Sequence, residues 1–293
     1  MPESSGPGGN PRGLLAVFAH PDDESYGAGG LMALAAAAGN PVWVLCLTNG
    51  DQGGRPGEMD VDHSMDPQIR MDELRCACRE LGISEPFFLG YRDSGMEGWG
   101  APEGALSTAN PDEVVERMVE VIERLRPAVV VTFDPGGVYG HPDHVACSER
   151  ASAAYRLTAS RPGGPTALYH QAMSRSAVAA MQEAMALAQQ MSGDQAEASQ
   201  PTEDDLRQQE AFTRLARPDE EITTRVAIGP VLDRKLAALA CHESQMGGRR
   251  WDDPEARPFV ERLFAAETFV RVDPPPAPGE REDLPLGLEW GGR

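Results

Sequence analysis

The sequence predicts an α/β fold: a Rossmann-like, doubly wound, mostly parallel sheet with helices on both faces. Two observations carry this. The segments that read as strands are apolar throughout, as strands covered on both faces are. They also alternate with stretches of helical composition and capping, the pattern of a parallel sheet. With 293 residues, 41% of them hydrophobic, the chain can build a sizeable core.

In chain order, residues 1–11 are rich in Gly, Pro and Ser and are expected to be disordered. "GLLAVFAH" is a buried strand, a continuous apolar run bounded by Gly and Pro. "GGLMALAAAAG" has helical content and stops at Gly39. "PVWVLCLTNG" is a second strand leading into a Gly-rich loop that runs to Gly57. "DPQIRMDELRCACRELGI" reads as an amphipathic helix with Ile69, Leu74, Cys78 and Leu81 on its buried side. "PFFLGY" is a third strand, followed by the loop "RDSGMEGWG". The next helix has Asn110 as N-cap, Pro111 at its first position and acidic residues in its first turn. "AVVVTFD" and "ALYHQAM" are further strands.

Residues 176–218 interrupt the alternation with Ala, Gln, Met and Glu, and read as a helical insertion or lid around a linker. "TRVAIGP" resumes the sheet, "VLDRKLAALACHESQ" is helical and "ETFVRV" is the last strand. The expected organisation is therefore one domain over 12–273 and a Pro-rich tail over 274–293, extended or disordered.

Lys and Arg number 26 against 46 acidic residues, a net charge of −20 with no offsetting basic block. Such a surface repels phosphate backbones, so nucleic acid and anionic membranes are not expected partners. No apolar run reaches the length of a membrane span, and the N-terminus lacks a basic region followed by an apolar one. The five cysteines form no disulfide framework by their spacing, so reduced thiols in a cytoplasmic protein are expected.

The chemistry collects in two clusters, "AHPDDE" and "YGHPDH", each directly after a buried strand. Ligands of open α/β sheets bind beyond the carboxyl ends of the strands, so the two can converge. His20 and Asp23, three apart on a turn entering a helix, can face one point, and His144 can join them. Two imidazoles and a carboxylate suit Zn²⁺ and leave a fourth position for water. Fe²⁺ or another divalent ion fits the same donors. Asp22, beside the ligands but not among them, is the candidate base. A protonated His141 could stabilise an oxyanion or give its proton to a leaving amine, with Asp143 holding it charged. One such cluster alone would be ordinary solvated polar sequence; two after buried strands are not. "YGAGG" lacks dinucleotide-loop spacing, and its glycines are read as close helix packing. Cys147 is read as a core residue rather than a ligand. His63 and His170 receive no role.

"AHPDDE" together with "HPDH" resembles the LmbE-like, or PIG-L, family of zinc-dependent N-acetylglucosamine deacetylases. The likeness covers most of residues 13–175 and resumes at "KLAALACHESQ". "YRDSGM" further resembles the branch that holds the mycothiol-pathway deacetylase and the mycothiol-conjugate amidase. The resemblance implies His20, Asp23 and His144 as metal ligands, Asp22 as base, and His141 as oxyanion stabiliser or acid. It also implies Asp143 as partner of His141 and Tyr139 beside the substrate carbonyl. Arg70 and Asp93 fall where the family binds sugar hydroxyls, against plainer readings as a surface ion pair and a turn residue. Glu24 and His242 stay open between pocket and structural roles.

The function expected is deacetylation of an N-acetylglucosaminyl conjugate in the making of a sugar thiol. Two alternatives stand beside it: an amidase cleaving a larger acyl group, and a non-catalytic metal-dependent sugar-binding protein. The expected partner is a small-molecule N-acetylglucosaminyl substrate, and the family resemblance is compatible with a homo-oligomer.

Overall fold

The computed structural model describes residues 12–53, 65–96, 98–191, 203–246 and 257–290. The expected disordered N-terminus and insertion linker lie outside these residues. The strands are β1 (Leu14–Phe18), β2 (Val42–Thr48), β3 (Phe87–Tyr91), β4 (Val129–Phe133), β5 (Ala167–Gln171), β6 (Thr224–Ala227) and β7 (Ala266–Asp273). They form one sheet in the order β3-β2-β1-β4-β5-β7-β6. The first five are parallel; β7 runs antiparallel to both β5 and β6. The α/β, mostly parallel sheet expected from the apolar runs is present.

Chain direction across the sheet reverses between β1 and β4, which lie side by side at the centre. Every residue of both strands is buried, so neither has a wet face and each reads as a solid apolar run. The crevice past their carboxyl ends is the topological switch point of the sheet, where such folds bind ligands.

After β1 the chain forms a short helix α1 (Asp23–Gly27), breaks at Ala28, and continues as α2 (Gly29–Ala37). A Cβ on Gly30 would stand 2.4 Å from Ile228, so its glycine serves close packing, as read from the sequence. Helix α3 (Pro67–Leu81) is capped by the Asp66 carboxylate at one end and by Gly82 in the left-handed region at the other. Its buried face corrects the sequence reading: Ile69 is 43% exposed, whereas Arg70 is 3% exposed. Periodicity places apolar residues inward, but here a cation is drawn in by carboxylates at the sheet's mouth.

Helix α4 (Pro111–Leu125) starts with Asn110 accepting from the N–H of Asp112, as its sequence predicts. A four-residue turn α5 (Gly137–Gly140) and the long α6 (Pro142–Ala159) follow β4. The insertion is two helices, α7 (Arg175–Met191) and α8 (Glu203–Leu215). Its two ends are tied together where Arg175 N–H donates to Arg217 O and Arg217 N–H to Met173 O. Helices α9 (Leu232–Cys241), α10 (Glu243–Met246) and α11 (Arg257–Leu263) lead into β7.

One expectation is overturned and another is narrowed. Cys76 on α3 and Cys241 on α9 are joined in a disulfide, so not all five thiols are free. A pairing across 165 residues is a product of α3 packing on α9 and leaves no trace in cysteine spacing. The tail from Pro274 to Trp290 has little regular structure, yet it is docked. Leu284, Leu288 and Trp290 pack on the core, and Asn40 exchanges two hydrogen bonds with the Glu289 backbone. Proline keeps this segment extended, while its apolar side chains bury surface against the sheet.

Candidate active site

The two clusters meet. His20 Nδ1 lies 3.2 Å from His144 Nε2 and 3.3 Å from Asp23 Oδ2, and His144 Nε2 lies 3.2 Å from Asp23 Oδ1. Donors at about 2.0–2.1 Å from a tetrahedral cation are separated by about 3.3 Å along each edge, so the two imidazole nitrogens, each beside a different oxygen of Asp23, suit one divalent ion. His20 and His144 are also grouped more loosely with His141, all three nitrogens falling within 4.8 Å of one another.

Each imidazole is oriented through its other nitrogen, as metal-binding histidines commonly are. His144 Nδ1–H donates to Gly137 O at 3.2 Å, and its ring stacks on Phe133 with centroids 4.1 Å apart. His20 Nε2–H meets Asp143 Oδ2 at 3.2 Å and Asp93 Oδ1 at 3.4 Å. Burial disfavours charge on His20, but Asp93, Asp143 and Asp23 outweigh it and raise its pKa well above the usual value. An environment that favours a proton there so strongly equally favours a metal cation. Asp23, despite burial, is held well below the carboxylate range by His144 and His20.

Asp22 stands beside this trio and pairs with Arg70. Burial raises its carboxyl to about 6, with the Arg70 guanidinium, 3.3 Å away, pulling in the opposite direction. Burial thus shifts the Asp22 carboxyl in the direction that suits a base near neutral pH.

The expected arrangement of His141 and Asp143 is corrected. The Asp143 carboxylate does not touch His141; it accepts from His20 and from the N–H and hydroxyl of Ser94 at 2.8 and 2.5 Å. What reaches His141 is the Asp143 backbone N–H, donating to Nδ1 at 3.1 Å to cap α6. That bond leaves the proton of neutral His141 on Nε2. Burial, with positive charge on His20 and His144, lowers its pKa to about 3, so the ring is neutral rather than an imidazolium. Tyr139 lies edge-on to His144, with centroids 4.9 Å apart, and burial raises its pKa, so its hydroxyl stays protonated. Phe212 of the insertion packs on Tyr139 with centroids 5.3 Å apart.

Arg70 and Asp93 are both inside the site. Arg70 donates to Pro21 O and Gly50 O and pairs with Asp22, which excludes the surface ion-pair reading. Asp93 faces His20 and also accepts from Gly95 N–H, so it is a turn residue and a site residue at once. Cys147 lies 3.6 Å from Val17 O and Thr132 Oγ1, its thiol held protonated by burial, as a core residue would be. His170 bonds Ser152 in the core, and His63 lies outside the described residues.

Sequence reasoning missed Ser94, which bonds the Asp143 carboxylate, and Gly137 O and Phe133, which hold the His144 ring. It left His242 undecided; the structure pairs it with Glu24 at 2.8 Å, both fully buried.

A profile of the family described as PIG-L, GlcNAc-PI de-N-acetylase, matches residues 15–155. A 1D-myo-inositol 2-acetamido-2-deoxy-alpha-D-glucopyranoside deacetylase of Salinispora arenicola is 32% identical over 295 residues, spanning 94% of this chain and 92% of its own. Among solved structures, N,N'-diacetylchitobiose deacetylase from Pyrococcus horikoshii superposes with a TM-score of 0.55 at 19% identity, covering 92% of this chain and 84% of its own. The zinc-inhibited form of teicoplanin deacetylase Orf2 gives 0.54 at 17% identity, over 88% of this chain and 97% of its own. At those identities the two structures speak for the fold alone. The full-length relative, the matched profile and the fold together place this chain in the PIG-L family.

Proposed function

We propose that the protein hydrolyses the acetamide of an N-acetylglucosaminyl conjugate, 1D-myo-inositol 2-acetamido-2-deoxy-alpha-D-glucopyranoside being the substrate of choice because a relative covering nearly the whole chain is named for it. The likeness of "YRDSGM" supports a place in sugar-thiol synthesis. The observation that carries the reading is the meeting of His20, His144 and Asp23 from two distant loops, with the Asp22 carboxylate beside them paired to Arg70.

His20, Asp23 and His144 would hold the metal, and Zn²⁺ or Fe²⁺ suits two nitrogens and a carboxylate. When bound, such an ion polarises the amide carbonyl and acidifies water. Ionised Asp22 takes a proton from the attacking water as the new C–O bond forms. Neutral His141, through Nε2–H, and the Tyr139 hydroxyl donate to the carbonyl oxygen as it becomes anionic, which needs no prior charge on either. The proton gathered on Asp22 goes to nitrogen as the C–N bond breaks, leaving acetate and a free amine. Arg70 holds Asp22 in place throughout.

The test is acetate release from that glucosaminide, with metal measured on the same sample. Asp22→Asn is expected to keep its metal and lose turnover by at least about 10²-fold, the scale of a general base. Full turnover in Asp22→Asn removes the assigned base, and release of a larger acid instead of acetate from acylated glucosamines replaces deacetylase by amidase.

A further inference from the structure

Among the described residues only three other than glycine have positive φ: Asp22 at 122°, Arg126 at 49° and Val138 at 65°. Arg126 is a left-handed helix cap. The other two sit in the site loops, Asp22 being the base and Val138 preceding Tyr139. Neither an Asp at (122°, −32°) nor a β-branched Val at (65°, −55°) holds such a conformation unaided.

The two are held in the same way. Asp22 N–H donates to Glu24 Oε2 at 2.9 Å, and Val138 N–H to Asp134 Oδ1 at 3.0 Å. The second oxygen of each carboxylate is met by a side-chain nitrogen from a distant part of the chain. Glu24 Oε1 meets His242 Nε2 at 2.8 Å, at the end of α9, and Asp134 Oδ2 meets Arg217 Nε at 3.1 Å, at the foot of the insertion. Glu24 and His242 are fully buried and Asp134 nearly so, so water does not compete for these bonds.

We propose that Glu24 and Asp134 are positioning residues, two matched carboxylate clamps that keep strained backbone turned so that Asp22 and Tyr139 face the reacting group. His242 and Arg217 anchor the clamps, linking α9 and the insertion to the site. The inference rests on the deacetylase reading for what the clamped residues do, but the clamps themselves stand on geometry.

The test compares variants of like volume that keep or lose the acceptor: Glu24→Gln against Glu24→Met, and Asp134→Asn against Asp134→Leu. The Met and Leu variants are expected to lose about 10²-fold in kcat, the cost of misplacing a reacting group by about 1 Å, with KM and metal per chain unchanged. Gln and Asn should restore most of it. Amide hydrogen exchange at Asp22 and Val138 should quicken in Met and Leu only, whatever the substrate. Wild-type kcat and exchange in the Met and Leu variants, or a fall in kcat that tracks lost metal, overturns the proposal. If one apolar variant fails to fold, the other loop's pair decides alone. Absent acetate release by the wild type sinks the deacetylase reading, and the exchange result then judges the clamps separately.

Discussion

The loops after β1 and β4 deliver the proposed ligands to one point by different means. The β1 loop is compact: His20, Asp22 and Asp23 fall within four residues, and His20 N–H is itself bound by the Asp23 carboxylate at 2.7 Å. None of the glycines that follow it in α1 and α2 has positive φ. The β4 loop takes ten residues from Asp134 to reach Asp143, turns on Gly137 and Gly140 at positive φ, and presents His144 from the first turn of a helix. The first loop is a local motif whose ligands brace each other. The second is a scaffold in which one backbone carbonyl, Gly137 O, sets the tautomer of its ligand.

That difference can be broken most severely at metal binding. His20→Ala and His144→Ala should each abolish stoichiometric metal, since two donors remain. Gly137→Ala separates the loops more finely. Its Cβ would lie 2.8 Å from His144 Cβ and 2.9 Å from Val145 N, at a φ of 61°. Displacing a carbonyl that orients a ligand typically costs about 10–100-fold in metal affinity, so Gly137→Ala should bind metal that much more weakly. Titration with a competing chelator measures it. Unchanged affinity would mean that the Gly137 carbonyl is not what orients His144.

A smaller effect sharpens the contrast on the β1 side. Asp22 must be ionised to act, and burial raises it to about 6. Log kcat/KM should therefore fall as pH drops through about 6, or through a lower value once a cation stands beside the carboxylate. Arg70 opposes that rise, so Arg70→Met should move the acid limb to higher pH, by about one unit for a lost charge at this distance. A limb that stays in place, or moves down, removes Arg70 as the group tuning Asp22.

The compactness of the first loop is also why it was readable. Four adjacent residues carry two of the proposed ligands and the proposed base, and the apolar run before them announces a strand end. The β4 cluster was readable as to His144 but not as to its wiring. "HPDH" puts Asp143 beside His141 in sequence, yet a helix begins there, and its carboxylate swings to His20 and Ser94 while only its N–H meets His141. Ser94, Asp134, Arg217 and His242 are joined to the site only through the tertiary fold, so spacing could not single out their roles. The parallel strands followed from unbroken apolar runs, whereas the place of antiparallel β7 between β5 and β6 depends on a chain reversal that local pattern does not encode. Arg70 shows the same limit on α3, since helical periodicity assigns a cation to solvent.

The disulfide offers the mildest perturbation, and it lies on the β1 side alone. Cys76 is six residues beyond Arg70, and Cys241 precedes His242, so the bond ties the helix that holds Asp22 to the residue that anchors its clamp. The α3–α9 contact does not depend on it, because Leu74, Leu81, Leu236 and Leu239 are buried there regardless. Cross-linking residues this far apart restricts chiefly the unfolded chain, by about 2–4 kcal/mol in typical cases. Cys76→Ser should thus lower the thermal midpoint by roughly 5–10 °C for a domain of this size while leaving kcat, KM and metal content alone. The measurement is unfolding followed with and without a reducing agent, which should bring the wild type to the variant's midpoint and leave the variant unmoved. If kcat falls with the midpoint held, the bond itself, and not only the Glu24–His242 contact, is part of what aims Asp22.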